Sequence, residues 1–138
     1  MLEGFSGVNR VYMPGMRPRE LLKVLDRGQG DVALADPQCQ LMLTLIAHVI
    51  HADRGMTQDE LDLVRPLVRN VEDKRGFFEE LSQRPLDLEA LAQNFPDRRD
   101  RKDLLEIAEH CLWCDGVEDE REWNLIDRIA YKLGLSRA

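Results

Sequence analysis

Four carboxylates at matched spacings are the residues of this sequence best suited to chemistry. Asp53 is followed seven residues later by Glu60, and Asp115 seven residues later by Glu122, the two pairs standing 62 positions apart. Carboxylate oxygens are hard ligands, so four of them brought together would suit a Ca²⁺ or Mg²⁺ ion. A second set is built from nitrogen and sulfur. His48 and His51 share an i, i+3 spacing with Cys111 and Cys114, and two Cys with two His make a tetrahedral Zn²⁺ set if their helix ends lie side by side. Cys111-Leu112-Trp113-Cys114 is also a C-x-x-C, the thiol-redox motif, but the strand-to-helix junction that motif needs is missing around it. Buried as small apolar residues, both cysteines would simply fill the core. No serine stands in a nucleophile elbow and no glycine-rich loop links a strand to a helix. A catalyst is not expected.

These residues belong to an internal repeat. Shifted by 62 positions, His48-Val49-Ile50-His51-Ala52-Asp53 falls on His110-Cys111-Leu112-Trp113-Cys114-Asp115. Without gaps, Thr57 then meets Asp119, Glu60 meets Glu122, Leu63 meets Leu125, Val64 meets Ile126 and Leu67 meets Ile129. Each copy reads as a helix end, an Asp, a turn with glycine, a capping residue, a Glu three further on and a new amphipathic helix. Two helical hairpins of one design should therefore pack face to face, about a local pseudo-two-fold. The matched His48 and His110 suggest a shared packing or hydrogen-bonding role.

Both acids of a pair also have a local use. An Asp at a helix C-terminus faces the negative end of the macrodipole, a cost of roughly 0.3–1 kcal/mol. Turn amides can offset it through an Asx-turn, and a cation shared with Glu60 or Glu122 can offset it too. The glutamates fit as N3 partners of Thr57 and Asp119 in capping boxes. An EF-hand is excluded, because counting twelve positions from Asp53 or Asp115 reaches Val64 or Ile126 instead of the required Glu.

The elements that must position these groups are helices. Pro18 opens a first one, with Leu21, Leu22, Val24 and Leu25 as its apolar face and Gly28 as its terminator. Asp36 and Pro37 open a second, apolar on nearly every side and so a central core helix, ending at Asp53-Arg54-Gly55. Thr57 caps a third, which Pro66 should kink or end by meeting the carbonyl of Asp62. Two short helices follow, around Phe77 to Leu81 and Leu86 to Ala92. Asp97 starts a long helix ending near Cys114, and a last one runs from about Asp119 to Leu133, closed by Gly134. Asp97-Arg98-Arg99-Asp100-Arg101-Lys102-Asp103 reads as a solvated charged face, and Cys39 as buried. No stretch alternates with period two beyond four or five residues. The expected fold is all-α, a compact bundle of about six or seven helices containing the two hairpins. Residues 1–18 form an arm, a candidate docking element with Phe5, Val8, Val11 and Tyr12, and residues 19–138 form one domain.

Composition narrows the function classes. The chain has 138 residues, 43% hydrophobic, and a net charge of −7; one ordinary core is affordable at that length. An acidic balance argues against nucleic acid, which needs clustered Lys and Arg. No apolar run approaches the roughly 18 residues of a membrane span, and no apolar block follows a basic start, so neither membrane insertion nor a secretory leader is expected. Three cysteines point to a reducing cytoplasm in place of a disulfide framework.

The run Ile46-Ala47-His48-Val49-Ile50-His51-Ala52-Asp53-Arg54-Gly55-Met56, then Glu60, resembles the signature of TerB-like domains: Ala-Asp-Gly, a few residues, then a Glu opening a helix. Cys114-Asp115-Gly116 through Glu122 is similar to it as well, and the resemblance covers roughly residues 38–135. It implies a helical bundle associated with stress, tellurite resistance and phage defence. It also implies a divalent-metal site at Asp53, Glu60, Asp115 and Glu122. Two departures stand out. Arg54 occupies a place usually held by Gly and puts a counter-charge beside Asp53, and Cys114 replaces Ala. The resulting expectation is a non-catalytic module for protein partners, among them a second copy of itself, with a divalent cation at its acidic corners. The zinc or thiol-redox module built on His48, His51, Cys111 and Cys114 is the alternative.

Overall fold

The computed structural model describes residues 16–52, 56–114 and 120–135, without the side chains of Arg121 and Glu122. Asp53, Asp115 and the arm before Met16 therefore lie outside the described residues. Seven α-helices and one 3-10 turn are present among those described, and no strand.

Local chemistry sets each helix. α1 (Pro18–Arg27) has proline in its first turn, and Glu20 Oε1 accepts the Arg17 N–H at 2.8 Å. It stops at Gly28, whose φ of 72° few other residues tolerate and whose N–H returns to Val24 O at 2.8 Å. α2 (Pro37–Ile50) starts on Asp36, whose carboxylate accepts from Cys39 N–H. α3 (Gln58–Val64) begins on Thr57 and gives way to a 3-10 turn, Arg65–Val68, at Pro66. The proline, lacking an N–H, breaks the α-helical ladder as its position demands. α4 (Lys74–Ser82), α5 (Leu88–Asn94) and α6 (Arg98–Trp113) take Asp73, Asp87 and Asp97 as N-caps. α7 (Glu120–Lys132) runs unbroken to Gly134, at φ 73°.

α2 is the axis of the core. Met42, Leu43, Leu45, Ile46, Ala47, Val49 and Ile50 are all solvent-free, because α4, α5, α6 and α7 each pack against it. Cys39 is buried as expected. α1 lies across α6 and the 3-10 turn. Met16 and Pro18, at the end of the stretch read as an arm, are buried with it.

The charged run at the start of α6 is not simply a solvated face. Asp100 and Asp103 are buried; Arg17 grips Asp100 with two bonds of 2.9 and 3.0 Å, and Arg19 grips Asp103 at 3.1 and 3.3 Å. Their i, i+3 spacing puts both acids on the face that meets α1. Arg101 donates to Phe95 O at 2.8 Å, Ala92 O at 2.7 Å and Leu133 O at 3.2 Å, tying the ends of α5 and α7 to α6. Arg98, Arg99 and Lys102 do face solvent.

Candidate functional site

Glu60 is the one member of the carboxylate set whose side chain is described, and it is buried, at 3% exposure. It stands at the third position of α3 in a complete capping box. Glu60 N–H donates to Thr57 Oγ1 at 3.2 Å, and Thr57 N–H donates to Glu60 Oε1 at 2.8 Å. The local use expected of this glutamate is therefore real. Its surroundings add something the spacing did not reveal. Glu60 lies within electrostatic reach of Cys111, on the second copy: burial first, then Cys114, then the Glu60 charge push the Cys111 thiol well above its ordinary range. The carboxylate of Glu60, on the first copy's second helix, thus acts on a thiol near the end of the second copy's first helix, four residues before Asp115. Asp53 and Asp115 fall outside the described residues, and Glu122 is placed only as a backbone position in α7.

The opposite crossing is also visible. His48, His51 and Ala52, at the end of α2, share a recess of about 430 Å³ with Ser82 of α4 and Asn124, Leu125 and Arg128 of α7. The first copy's leading helix thus ends against the second copy's second helix. Between them α2 and α6 pack directly, and the matched positions Leu45 and Ile107, Ile46 and Ala108, Val49 and Cys111, Ile50 and Leu112 are all buried. This crossed arrangement is what a face-to-face pairing of two like hairpins requires.

It also undoes the tetrahedral zinc set. His48 and His51 open towards α7, while Cys111 is fully buried on the side of α3. Among the described residues no three His, Cys, Asp or Glu side chains converge in a way that could hold a metal. The four residues share a spacing but not a neighbourhood, because the helix ends face second helices instead of each other. The imidazoles are engaged locally: His48 Nε2 donates to Arg84 O at 2.6 Å and His51 Nδ1 to Ala47 O at 2.9 Å, since a carbonyl can only accept. Nor does the thiol-redox reading gain support. Redox cysteines have lowered pKa values and access to solvent, whereas Cys111 has neither, and burial with the Asp36 charge lifts Cys39 to about 11.

The model of the family described as "Tellurite resistance protein TerB" matches residues 40–138. The chain belongs to the TerB family. The match takes in both hairpins, both acidic corners and the helices between them. It leaves outside α1 and the two arginines that fasten α1 to α6. No curated protein and no solved structure matches the chain. No helix of the described residues is long and apolar enough to cross a membrane.

Sequence reasoning overlooked two features. Arg101 had no signal beyond its charge, because its three acceptors are backbone carbonyls. Asn124 and Arg128 stand one turn apart on α7, a spacing that is readable, but nothing in it shows that the end of α2 would face them.

Proposed function

We propose that this TerB-family chain is a non-catalytic binding module of a cytoplasmic stress response. In this reading it engages a protein partner, and a divalent cation steadies its acidic corners. The observation that carries the reading is Glu60: a carboxylate 3% exposed, on α3 of one copy, beside the α6 end that leads into Asp115 of the other. A buried charge is costly unless paired or coordinated. That glutamate acts electrostatically on Cys111, which stands four residues before Asp115 in the chain.

Asp53, Glu60, Asp115 and Glu122 would hold the cation. The donor set is all oxygen, which favours Ca²⁺ or Mg²⁺ over softer ions. The capping bond to Thr57 N–H engages Glu60 Oε1, and a carboxylate oxygen carries more than one lone pair, so the capping role and a ligand role are compatible. The bound ion supplies positive charge at two turns that otherwise gather negative charge at helix ends.

Thermal unfolding tests this directly. Millimolar Ca²⁺ or Mg²⁺ should raise the melting temperature, by mass action on the folded state, and Asp115→Asn should abolish the rise. A melting temperature indifferent to either cation would overturn the cation reading.

A further inference from the structure

We infer that the groove filled by α1 is a docking surface for the amphipathic helix of a partner protein, with α1 as its resident occupant. The docking surface deepens the protein-partner half of the proposed function, on which it rests, and draws nothing from the cation half. α1 precedes the residues matched by the family, whereas the walls of the groove, α6 and the 3-10 turn, lie within them.

The groove asks for two kinds of contact at once. On α6, Asp100, Asp103, Leu104 and Ile107 stand at i, i+3, i+4 and i+7, so acids and apolar residues share one stripe. Leu104 and Ile107 have no exposure, and Leu67 and Val68 of the 3-10 turn are buried too. α1 answers with Leu21, Leu22, Val24 and Leu25, all buried, and with Arg17 on Asp100 and Arg19 on Asp103. The acids set the specificity. A purely apolar helix in this place would leave two buried carboxylates unpaired, which is costly. A guanidinium fork offers each of them two parallel bonds, as a lysine does not. The partner that fits is therefore a helix with one arginine just before its first turn, a second within that turn, and an apolar stripe after them.

The hold of α1 is weaker than the demands of the groove. A ten-residue helix is marginal by itself, so α1 stays helical through its packing. Both arginines are more than half exposed. A recess of about 570 Å³, lined only by charged residues among those described, runs along the seam and brings water to the ion pairs. Pairs so exposed are screened and contribute modestly. Residues 28–36 carry no helix and tether α1 to α2; Arg69 fastens this tether through an exposed bond to Gly30 O at 3.1 Å. The helix can thus step aside as a unit while α2 stays in the core. The tether also gives α1 a high effective concentration. A partner helix must outbind it, or meet an α1 already loosened.

The test is fluorescence anisotropy of a labelled peptide of residues 16–28 with the full chain in EDTA, so that no divalent cation contributes. Arg17→Gln/Arg19→Gln loosens α1 and keeps the acids of the groove, and should bind the peptide at least tenfold more tightly than the parent does. Arg17→Gln alone should fall between them, and carries the comparison if the double variant does not fold. On either variant, a peptide with both arginines replaced by glutamine and a scrambled peptide of the same composition should each bind at least tenfold more weakly. Equal binding of the peptide by parent and variants, or equal binding of the three peptides by one variant, would overturn the inference. Sedimentation of the parent is the second measurement. A monomer supports a separate partner, whereas a dimer that the peptide dissolves would give the groove to a second copy and overturn it. Failure would leave a partner elsewhere on the chain, and the cation reading, untouched.

Discussion

In the first copy of the repeat the leading helix, α2, is covered on every side, whereas its counterpart α6 keeps a polar face that α1 holds through Arg17–Asp100 and Arg19–Asp103. The second helices differ as well. α3 stops at Val64 and tightens into a 3-10 turn at Pro66, while α7 continues as one helix through Arg128, the position 62 residues on. The apolar positions that join the copies are nonetheless buried in both. A repeated pattern of core residues therefore fixes how the copies meet. What each copy shows to the rest of the molecule depends on the segment laid over it: α4 and α5 on α2, and α1 on α6.

Truncating matched residues should break the equivalence most sharply. Leu43 has no exposure and Leu105, its repeat partner, is only partly buried. Leu43→Ala should cost roughly 2–5 kcal/mol in urea unfolding, and Leu105→Ala about half of that or less, because less apolar surface returns to water. Equal losses would mean that the two leading helices are covered alike.

A proline exchange comes next. Arg128→Pro gives α7 the break that α3 already has, and should cost about 3 kcal/mol, through one lost ladder bond and a clash with the preceding turn. Pro66→Ala, the reverse change, should shift stability by less than about 1 kcal/mol, with a small gain in helical circular dichroism as the 3-10 turn relaxes.

The polar face of α6 gives a smaller effect that salt should erase. Asp103→Asn should cost about 1 kcal/mol at low ionic strength. The Arg19 end of the pair is 64% exposed, so screening is effective, and variant and parent should converge in 1 M NaCl. Leu43→Ala has no such salt dependence.

The smallest separation is in the thiols. Cys39 on α2 and Cys111 on α6 both have raised pKa values in the folded chain, from an ordinary value of 9.0. A group held protonated by folding stabilises fully below its unfolded pKa and loses that contribution as pH rises through the folded one. Stability should thus begin to fall above about pH 9. Cys111→Ala should flatten that fall more than Cys39→Ala, since Cys111 feels the charges of Cys114 and Glu60 on top of its burial. Alkylation in the native state should be quicker at half-buried Cys114 than at either.

Much of this architecture is legible because its causes are local. Asp36 with Pro37, Thr57 with Glu60, Asp97, Gly28, Pro66 and Gly134 each act within a few residues, and the repeat is a pattern in the chain itself. The ion pairs of α1 are not legible, because Arg17 and Asp100 stand 83 residues apart and either acid could as well have met water. The zinc set failed for a related reason. Equal spacing places His48, His51, Cys111 and Cys114 at equivalent helix ends, but only the crossing of the hairpins decides what those ends face. At the acidic corners the capping box of Thr57 and Glu60 was legible from its spacing, while Asp53, Asp115 and the Glu122 side chain lie outside the described residues.

The claim on which the account rests is that two like hairpins cross so that their acidic corners act together. Trp113 and Trp123 meet edge to face, with ring centroids 5.4 Å apart, and bracket the α6–α7 corner, with Trp113 49% exposed. Their fluorescence therefore reads that corner during a Ca²⁺ titration. The account predicts a saturable change in the parent protein and a comparable loss of affinity, tenfold or more, in Glu60→Gln and Glu122→Gln, although only Glu122 belongs to the helix that carries Trp123. A parent signal that calcium leaves flat, or a Glu60→Gln protein that titrates like the parent, would contradict it.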